Sequence, residues 1–534
     1  MPKKIQIPEI PAAENTPFVR ELLSIINELL QKIQLQDQKI QILENEISIL
    51  KKQKPRPQLL PNNLGKKTSE NGSKEGLKRA GSEKRSKTAE LKIHEDKIIV
   101  VEQVPPGSVR KGYQEFVVQD IKIESRNVRY LRERWLTPSG EHLVAELPKE
   151  LNNSHFGPEL TRFVLYQHYQ NHVTRPLIHE QLKAFGIDIS TGQIDAILIN
   201  GKDTFHNEKD EILSVGLRHT KTIEVDDTGA RHAGKNGFCT QIGSEFFTWF
   251  KSTDSKSRIN FLELLRGAST SYCFNDDAFE YIEHYNFSEQ IVHRLKREAN
   301  RFFADKAALD LFFTNECILT ITQKRIVTEA LLIGTIIANG VLKELVVHSD
   351  GARQFAVLLH SLCWIHAERP FRKLIPIDEK MRAAIESIRN EIWLFYDALK
   401  AYKNNPSEQI KQLLGQRFDI IFSQQTPHSS INRILESIRK NKSDLLLVLE
   451  RPYVSLQNNG SEREIREYVK RRKISGSTRS DLGRQCRDTF TSLKKTCRKL
   501  GISFWQYLLD RLTKAGSIPY LPATIIQRSA ISSF

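Results

Sequence analysis

Three acidic residues stand where carboxylates commonly do chemistry. In Lys221-Thr-Ile-Glu-Val-Asp-Asp-Thr228, Ile223 and Val225 alternate with polar neighbours. That is the period-two pattern of a half-buried strand. The run ends in the adjacent carboxylates Asp226 and Asp227, then a Thr-Gly turn. A second apolar run, Leu345-Val-Val-His-Ser-Asp350, also ends in an aspartate before a glycine. Two strands with an acid at each carboxyl end suggest a parallel pair opening onto one crevice, where open α/β sheets place ligands. The third acid, Glu462, sits in or near the first turn of a basic helix that Ser461 or Asn459 can cap. Taken singly, each aspartate also reads as a helix cap or turn former.

Neighbouring carboxylates repel unless a divalent cation neutralises them, which makes Mg²⁺ or Mn²⁺ the natural guest. Two-metal phosphoryl transfer uses such a set. Its two ions, about 3.5–4 Å apart, serve the attacking oxygen and the leaving 3′ oxygen. Cations suited to phosphate crowd the same region: Arg463 to Lys499 holds 13 basic and 4 acidic residues. Arg463, Arg466, Arg471, Arg472, Lys473 and Arg479 are the candidate DNA contacts, with a solvated helix face as the alternative for Arg463 and Arg466. Lys256 and Arg258 could line the DNA path. Asp227 is either a supporting group or, if the strand register differs by one, the ligand itself. Cys363 and His366 have C-x₂-H spacing, but two ligands do not make a zinc site; a structural or DNA-facing histidine is the simpler reading.

Other segments must position these groups. Over 18–51, Ile26, Ile33, Ile40 and Ile47 recur every seven residues, with Leu22, Leu29, Leu43 and Leu50 on the second seam. Only Gln36 interrupts that seam. Ile at a and Leu at d favour a parallel two-stranded coiled coil, hence a homodimer or higher homo-oligomer; an amphipathic helix docked on its own body is the alternative. A flexible basic linker follows over 52–92, rich in Pro, Gly, Ser, Asn and Lys, with too little apolar surface to offset ordering entropy.

Residues 93–150 read as a small β module with runs at Ile98–Glu102, Phe116–Ile123, Val128–Trp135 and Leu143–Leu147. Within 151–205, three short helices are expected: Gly157-Pro158 opens the first, Thr174 with Pro176 the second, and Ser190 the third. The last two, joined by Gly186-Ile-Asp-Ile, resemble a helix-turn-helix, whose second helix could enter a major groove. The region 215–475 reads as an α/β core. It takes in a second strand over Phe238–Phe250 with a Gly-Ser kink, a helical insertion at about 276–342, and a helix from about 353 leading to Cys363. Long helical stretches are expected at about 376–402 and 428–446. Residues 476–534 form a basic helical C-terminal region.

Composition narrows the class. A chain of 534 residues should hold several domains. Its 80 Lys and Arg against 64 Asp and Glu leave a formal charge of +16, which favours a polyanionic partner such as nucleic acid. Six cysteines without a CxxC pair argue for a reducing compartment and against a disulfide scaffold. With no signal peptide and no apolar run of about 18 residues, a cytoplasmic protein that does not enter the membrane is expected.

Three blocks in order carry a resemblance to transposases of the insertion-sequence-66 family: Val225-Asp-Asp-Thr228; His348-Ser-Asp-Gly351 with Cys363-Trp-Ile-His366; and Asn458-Asn-Gly-Ser-Glu-Arg-Glu-Ile-Arg466 with Arg471-Arg-Lys-Ile-Ser-Gly476. The similarity covers roughly 157–515. It implies a DDE transposase with an RNase H-like catalytic core, in which Asp226, Asp350 and Glu462 are the catalytic, metal-binding triad for two Mg²⁺ (or Mn²⁺) ions. The implied partner is double-stranded DNA, both element ends and target DNA, in a reaction of end cleavage and strand transfer. The chain departs from the family in lacking cysteines ahead of the helix-turn-helix region. It also carries Gln457 where the family has an aspartate before the paired asparagines. Two alternatives stand beside this expectation: a catalytically silent dimeric DNA-binding protein or regulator, and a standalone nuclease of the same fold.

Overall fold

The computed structural model describes residues 91–532 apart from 152–153 and 316–318. The heptad segment over 18–51, and all but the last two residues of the linker over 52–92, lie outside the described residues. The described chain divides at Asn127/Val128 into two units. In the first, residues 91–127 form no helix or strand, and nearly every side chain is exposed. Ile98–Glu102 and Phe116–Ile123 thus have strand-like composition but no partner strand. In the second unit a small hairpin pairs Arg134–Leu136 with His142–Val144, both strands exposed.

Five strands make the central sheet: β1 (Thr222–His232), β2 (Lys235–Gly243), β3 (Thr248–Thr253), β4 (Val346–Ser349) and β5 (Leu359–Leu362). Their order is β3-β2-β1-β4-β5. The first three form antiparallel hairpins, whereas β1 with β4 and β4 with β5 run parallel. The expected parallel pair is therefore present, and all four residues of β4 are buried, as a central parallel strand requires.

Three local expectations differ. Strand β1 does not stop at Asp226-Asp227; Thr228 and Gly229 continue it, and the turn falls at Ala233-Gly234. The Gly-Ser kink is a hairpin turn that splits Phe238–Phe250 into two strands, closed by Ser244 donating to the Phe247 carbonyl. The segment from 353 makes a single 3-10 turn over Arg353–Phe355 and then strand β5, not a helix.

Helices cover the sheet. Helices α1 (Pro158–Leu165), α2 (Arg175–Ala184) and α3 (Thr191–Ile199) match the three expected short helices. Ser190 caps α3 in a reciprocal box with Gln193. Next come α4 (Asp203–Arg218), α5 (Arg258–Arg266), α6 (Ile321–Ala338), α7 (Trp364–Lys373), α8 (Asn459–Ser475) and α9 (Asp481–Lys499). Alternation divides the sheet's apolar residues. Ile223, Val225, Ile242 and Val347 join the main core with Ile212 of α4 and Phe490 and Leu493 of α9. Ala230, Cys239 and Phe250 face Ile465 and Tyr468 of α8. A second core, around Trp364, Phe395 and Phe418, is shared by α7 and the helices between α7 and α8, including Glu408–Phe422, for which the sequence reading holds no helix.

Candidate active site

The sheet register places the two aspartates. Glu224 pairs with His348 across β1 and β4, and Asp226 and Asp350 each follow two residues beyond that pair. Gly351 makes the chain's exit from β4 possible: its φ of 101° is a left-handed value that a side chain resists. There Ala352 donates its N–H to Asp350 at 3.3 Å. Side chains alternate along β1, so Asp226 shares a face with Glu224 and Ala230, the face covered by α8. Asp227 points to the other face, where Gln354 donates to its carboxylate at 2.6 Å. The two adjacent acids thus have separate surroundings.

Helix α8 packs on the Asp226 face of β1 and carries Glu462 in its first turn. Asn458, buried just before the helix, donates its side-chain amide to the Val225 carbonyl at 3.0 Å. Ser461 donates its N–H to Glu224 at 3.0 Å and its hydroxyl to Gln241 of β2. A Cβ at Gly460 would meet the Glu224 carboxylate, which would have to shift away from its bond to Ser461. Neither Ser461 nor Asn459 caps the helix as expected: α8 already begins at Asn459, and the Ser461 hydroxyl is engaged by Gln241. Asn458 just before the helix and Gly460 in its first turn are the residues that let this helix end press against a strand.

Asp226 feels the charge of the other acids. Burial pushes the Asp226 carboxyl up to about 7, and the charges of Asp350, Asp227 and Glu462 push the same way, against the Asp227 N–H bonded to it at 2.7 Å. A half-buried carboxylate whose ionisation its neighbours oppose suits a hard divalent cation, and the donors here are all carboxylate oxygens. Among the described residues, no three Asp, Glu, His or Cys side chains are grouped closely enough to hold a metal ion as they stand. Glu462 lies 3.2 Å from Arg466, 3.4 Å from His366 Nε2 and 3.6 Å from Arg369.

The candidate cations separate into two sets. Arg463, Arg466 and Lys473, with Lys470, are exposed and follow one another at helical spacings of three or four along one face of α8. Arg479 is exposed just beyond it. Arg471 is different: it is buried, donating to the His168 carbonyl at 2.7 Å and to the His168 ring. Arg472 donates to the Gly229 carbonyl and, at 3.3 Å, to Thr228 of β1. These two arginines fasten α8 to its neighbours, an engagement that the expectation of phosphate contacts did not include.

Lys256 is exposed near the Phe238 ring, and its charge acts on Asp227. Arg258 is instead engaged by the buried Glu329 at 3.4 Å and the Arg353 carbonyl at 3.0 Å. Cys363, buried, accepts the Asn458 N–H at 3.3 Å, so Cys363 and His366 both serve the junction of α7 with α8. Ser349, His360 and Asp444 make a hydrogen-bonded chain of 2.8 and 2.7 Å in the order of a nucleophilic triad. Ser349 is fully buried, however, so the chain anchors β4 to β5 and gives no substrate access to the hydroxyl.

Known proteins match parts of the chain. The pattern of the Transposase IS66 family matches residues 339–486, a stretch that includes Asp350 and Glu462. The chain is also 42% identical over 303 residues to the uncharacterized protein y4jO of Sinorhizobium fredii (strain NBRC 101917 / NGR234), covering 56% of this chain and 94% of that protein. The chain belongs to the IS66 transposase family. In this family member no helix among the described residues is long and apolar enough to cross a membrane. Family membership implies DNA as the partner and a divalent metal in the reaction.

Proposed function

We propose that this IS66-family chain is a cytoplasmic DNA transposase that cuts at the ends of its element and joins the 3′ hydroxyls to target DNA through Asp226, Asp350 and Glu462. The observation that supports this most is the parallel register that sets Asp226 and Asp350 two residues beyond the Glu224–His348 pair, with the charges of Asp350 and Glu462, remote in sequence, both acting on the half-buried Asp226. These carboxylates would hold two Mg²⁺ or Mn²⁺ ions. When bound, such ions supply Lewis-acid activation of the attacking oxygen and neutralise charge on the leaving oxygen.

The rest of the work falls to the protein. Asn458 and Ser461 hold the start of α8 against β1, so that Glu462 stays on the Asp226 face. The exposed stripe of Arg463, Arg466, Lys470 and Lys473 gives a DNA strand a row of charge to follow. Helices α2 and α3 would read terminal repeats, and the heptad segment over 18–51 would pair two copies so that two ends are held together.

One observation favours a silent DNA-binding protein: the Glu462 carboxylate is already paired with two arginines. Incubating the full chain with Mg²⁺ and end-containing DNA separates the readings. Joined-strand products are expected. Cleavage without joining would point to a nuclease, and binding without cleavage to the silent protein.

A further inference from the structure

Glu462 is the meeting point of two arginines from different helices. Arg466 reaches it from one turn further along α8, and Arg369 reaches it from α7. The carboxylate is 24% exposed, while the Arg369 and Arg466 side chains are 44% and 67% exposed. Among the described residues, neither arginine has another acidic partner within ion-pair distance, so both guanidinium groups depend on one carboxylate.

Exposed ion pairs of this kind are weak and readily exchanged. A guanidinium offers paired N–H donors that match phosphate oxygens, and a DNA backbone presents such anions in series. We propose that Arg369 and Arg466 form a binding site for a DNA backbone phosphate, and that Glu462 occupies this site until a phosphate displaces it. Displacement leaves the carboxylate free to turn to Asp226 and Asp350, so that the acids are brought together only where DNA is seated. Arg369 becomes a substrate-binding residue that its sequence setting, the helix after Cys363, did not indicate. The inference rests on the transposase reading above.

The test is DNA binding in EDTA, with no metal and no chemistry, using the full chain. Two duplexes serve as probes, one carrying the element's terminal repeat and one of scrambled sequence. Glu462→Gln releases the arginines and should tighten binding about fivefold. Arg369→Gln with Arg466→Gln should weaken it and lower the slope of affinity against salt by about two. In that arginine-less background Glu462→Gln should add nothing. Asp226→Asn is the control for a general loss of negative charge, and any gain from it should be equal in both backgrounds. Effects on both duplexes assign the site to backbone shared by ends and target; effects on the repeat alone assign it to element ends. The proposal is overturned if Glu462→Gln binds as the wild type does, or gains as much without the arginines. Thermal melting of each variant confirms folding. The transposase reading fails by a different result: a chain that binds end DNA and never cuts it with Mg²⁺.

Discussion

The side-chain amide of Asn458 reaches the carbonyl of Val225, the residue before Asp226, while its backbone N–H meets the sulfur of Cys363. One buried residue thereby joins the strand of Asp226, the helix of Glu462 and the helix that carries His366 and Arg369. Asn458→Leu keeps the branching of the side chain but removes the amide, so the bond to the Val225 carbonyl is lost at a cost of about 1–3 kcal/mol, with the bulkier methyl groups adding to it. The variant should fold with a lower denaturant midpoint, bind DNA normally and cleave it poorly. Cleavage at the wild-type rate would remove Asn458 from the positioning of the acids.

Arginines of one helix should behave in opposite ways. Arg471→Lys cannot reproduce the two-pronged contact with His168, and should lower stability by roughly 2 kcal/mol without changing the salt dependence of DNA binding. Arg463→Gln and Lys473→Gln, at exposed positions, should leave stability within about 0.5 kcal/mol and each reduce the salt slope by about one. Chemical denaturation and binding across a salt series distinguish the two classes. A reduced salt slope for Arg471→Lys would return that residue to the DNA surface.

Much of the core is legible in local sequence because its signals are local. Alternation of Ile223 and Val225, and the apolar run into Asp350, mark β1 and β4; Ser190 with Gln193 marks the start of α3. Strand β5 escapes such a reading because Leu359–Leu362 is four residues with His360 and Ser361 inside, and it is a strand only by pairing with β4. Arg471 escapes for a related reason. Its type and basic neighbours match those of Lys473, and only packing against His168, some 300 residues away in sequence, distinguishes them. Asp226 and Asp227 are likewise equivalent until alternation along β1 sends them to opposite faces.

Glu467 gives a pH signature. It is bonded to His172 and Lys494, each at 2.7 Å, and these partners hold its carboxyl well below the usual carboxylate range despite partial burial. Burial dominates at Lys494, pulling it down to about 8 although Glu467 raises it. For Glu467, a folded pKa below the unfolded value of about 4.3 means stability fully present above that unfolded value and lost progressively as pH falls from it through the lower folded pKa. From about pH 5 downward the wild type should therefore lose stability more steeply than Glu467→Gln. At pH 7 the variant should be less stable by about 3 kcal/mol, because Lys494 is buried without its counter-charge. Denaturant titrations across that range give both numbers, and parallel pH profiles would contradict the assignment.

The most direct measurement is metal-dependent cleavage of labelled, end-containing DNA by the wild type and by Asp226→Asn, Asp350→Asn and Glu462→Gln, with Asp227→Asn beside them. Each of the first three should lower the cleavage rate roughly a hundredfold or more while DNA binding persists, Asp227→Asn should retain most activity, and EDTA should stop the wild type. Cleavage at the wild-type rate by any one of the three would contradict the proposed triad.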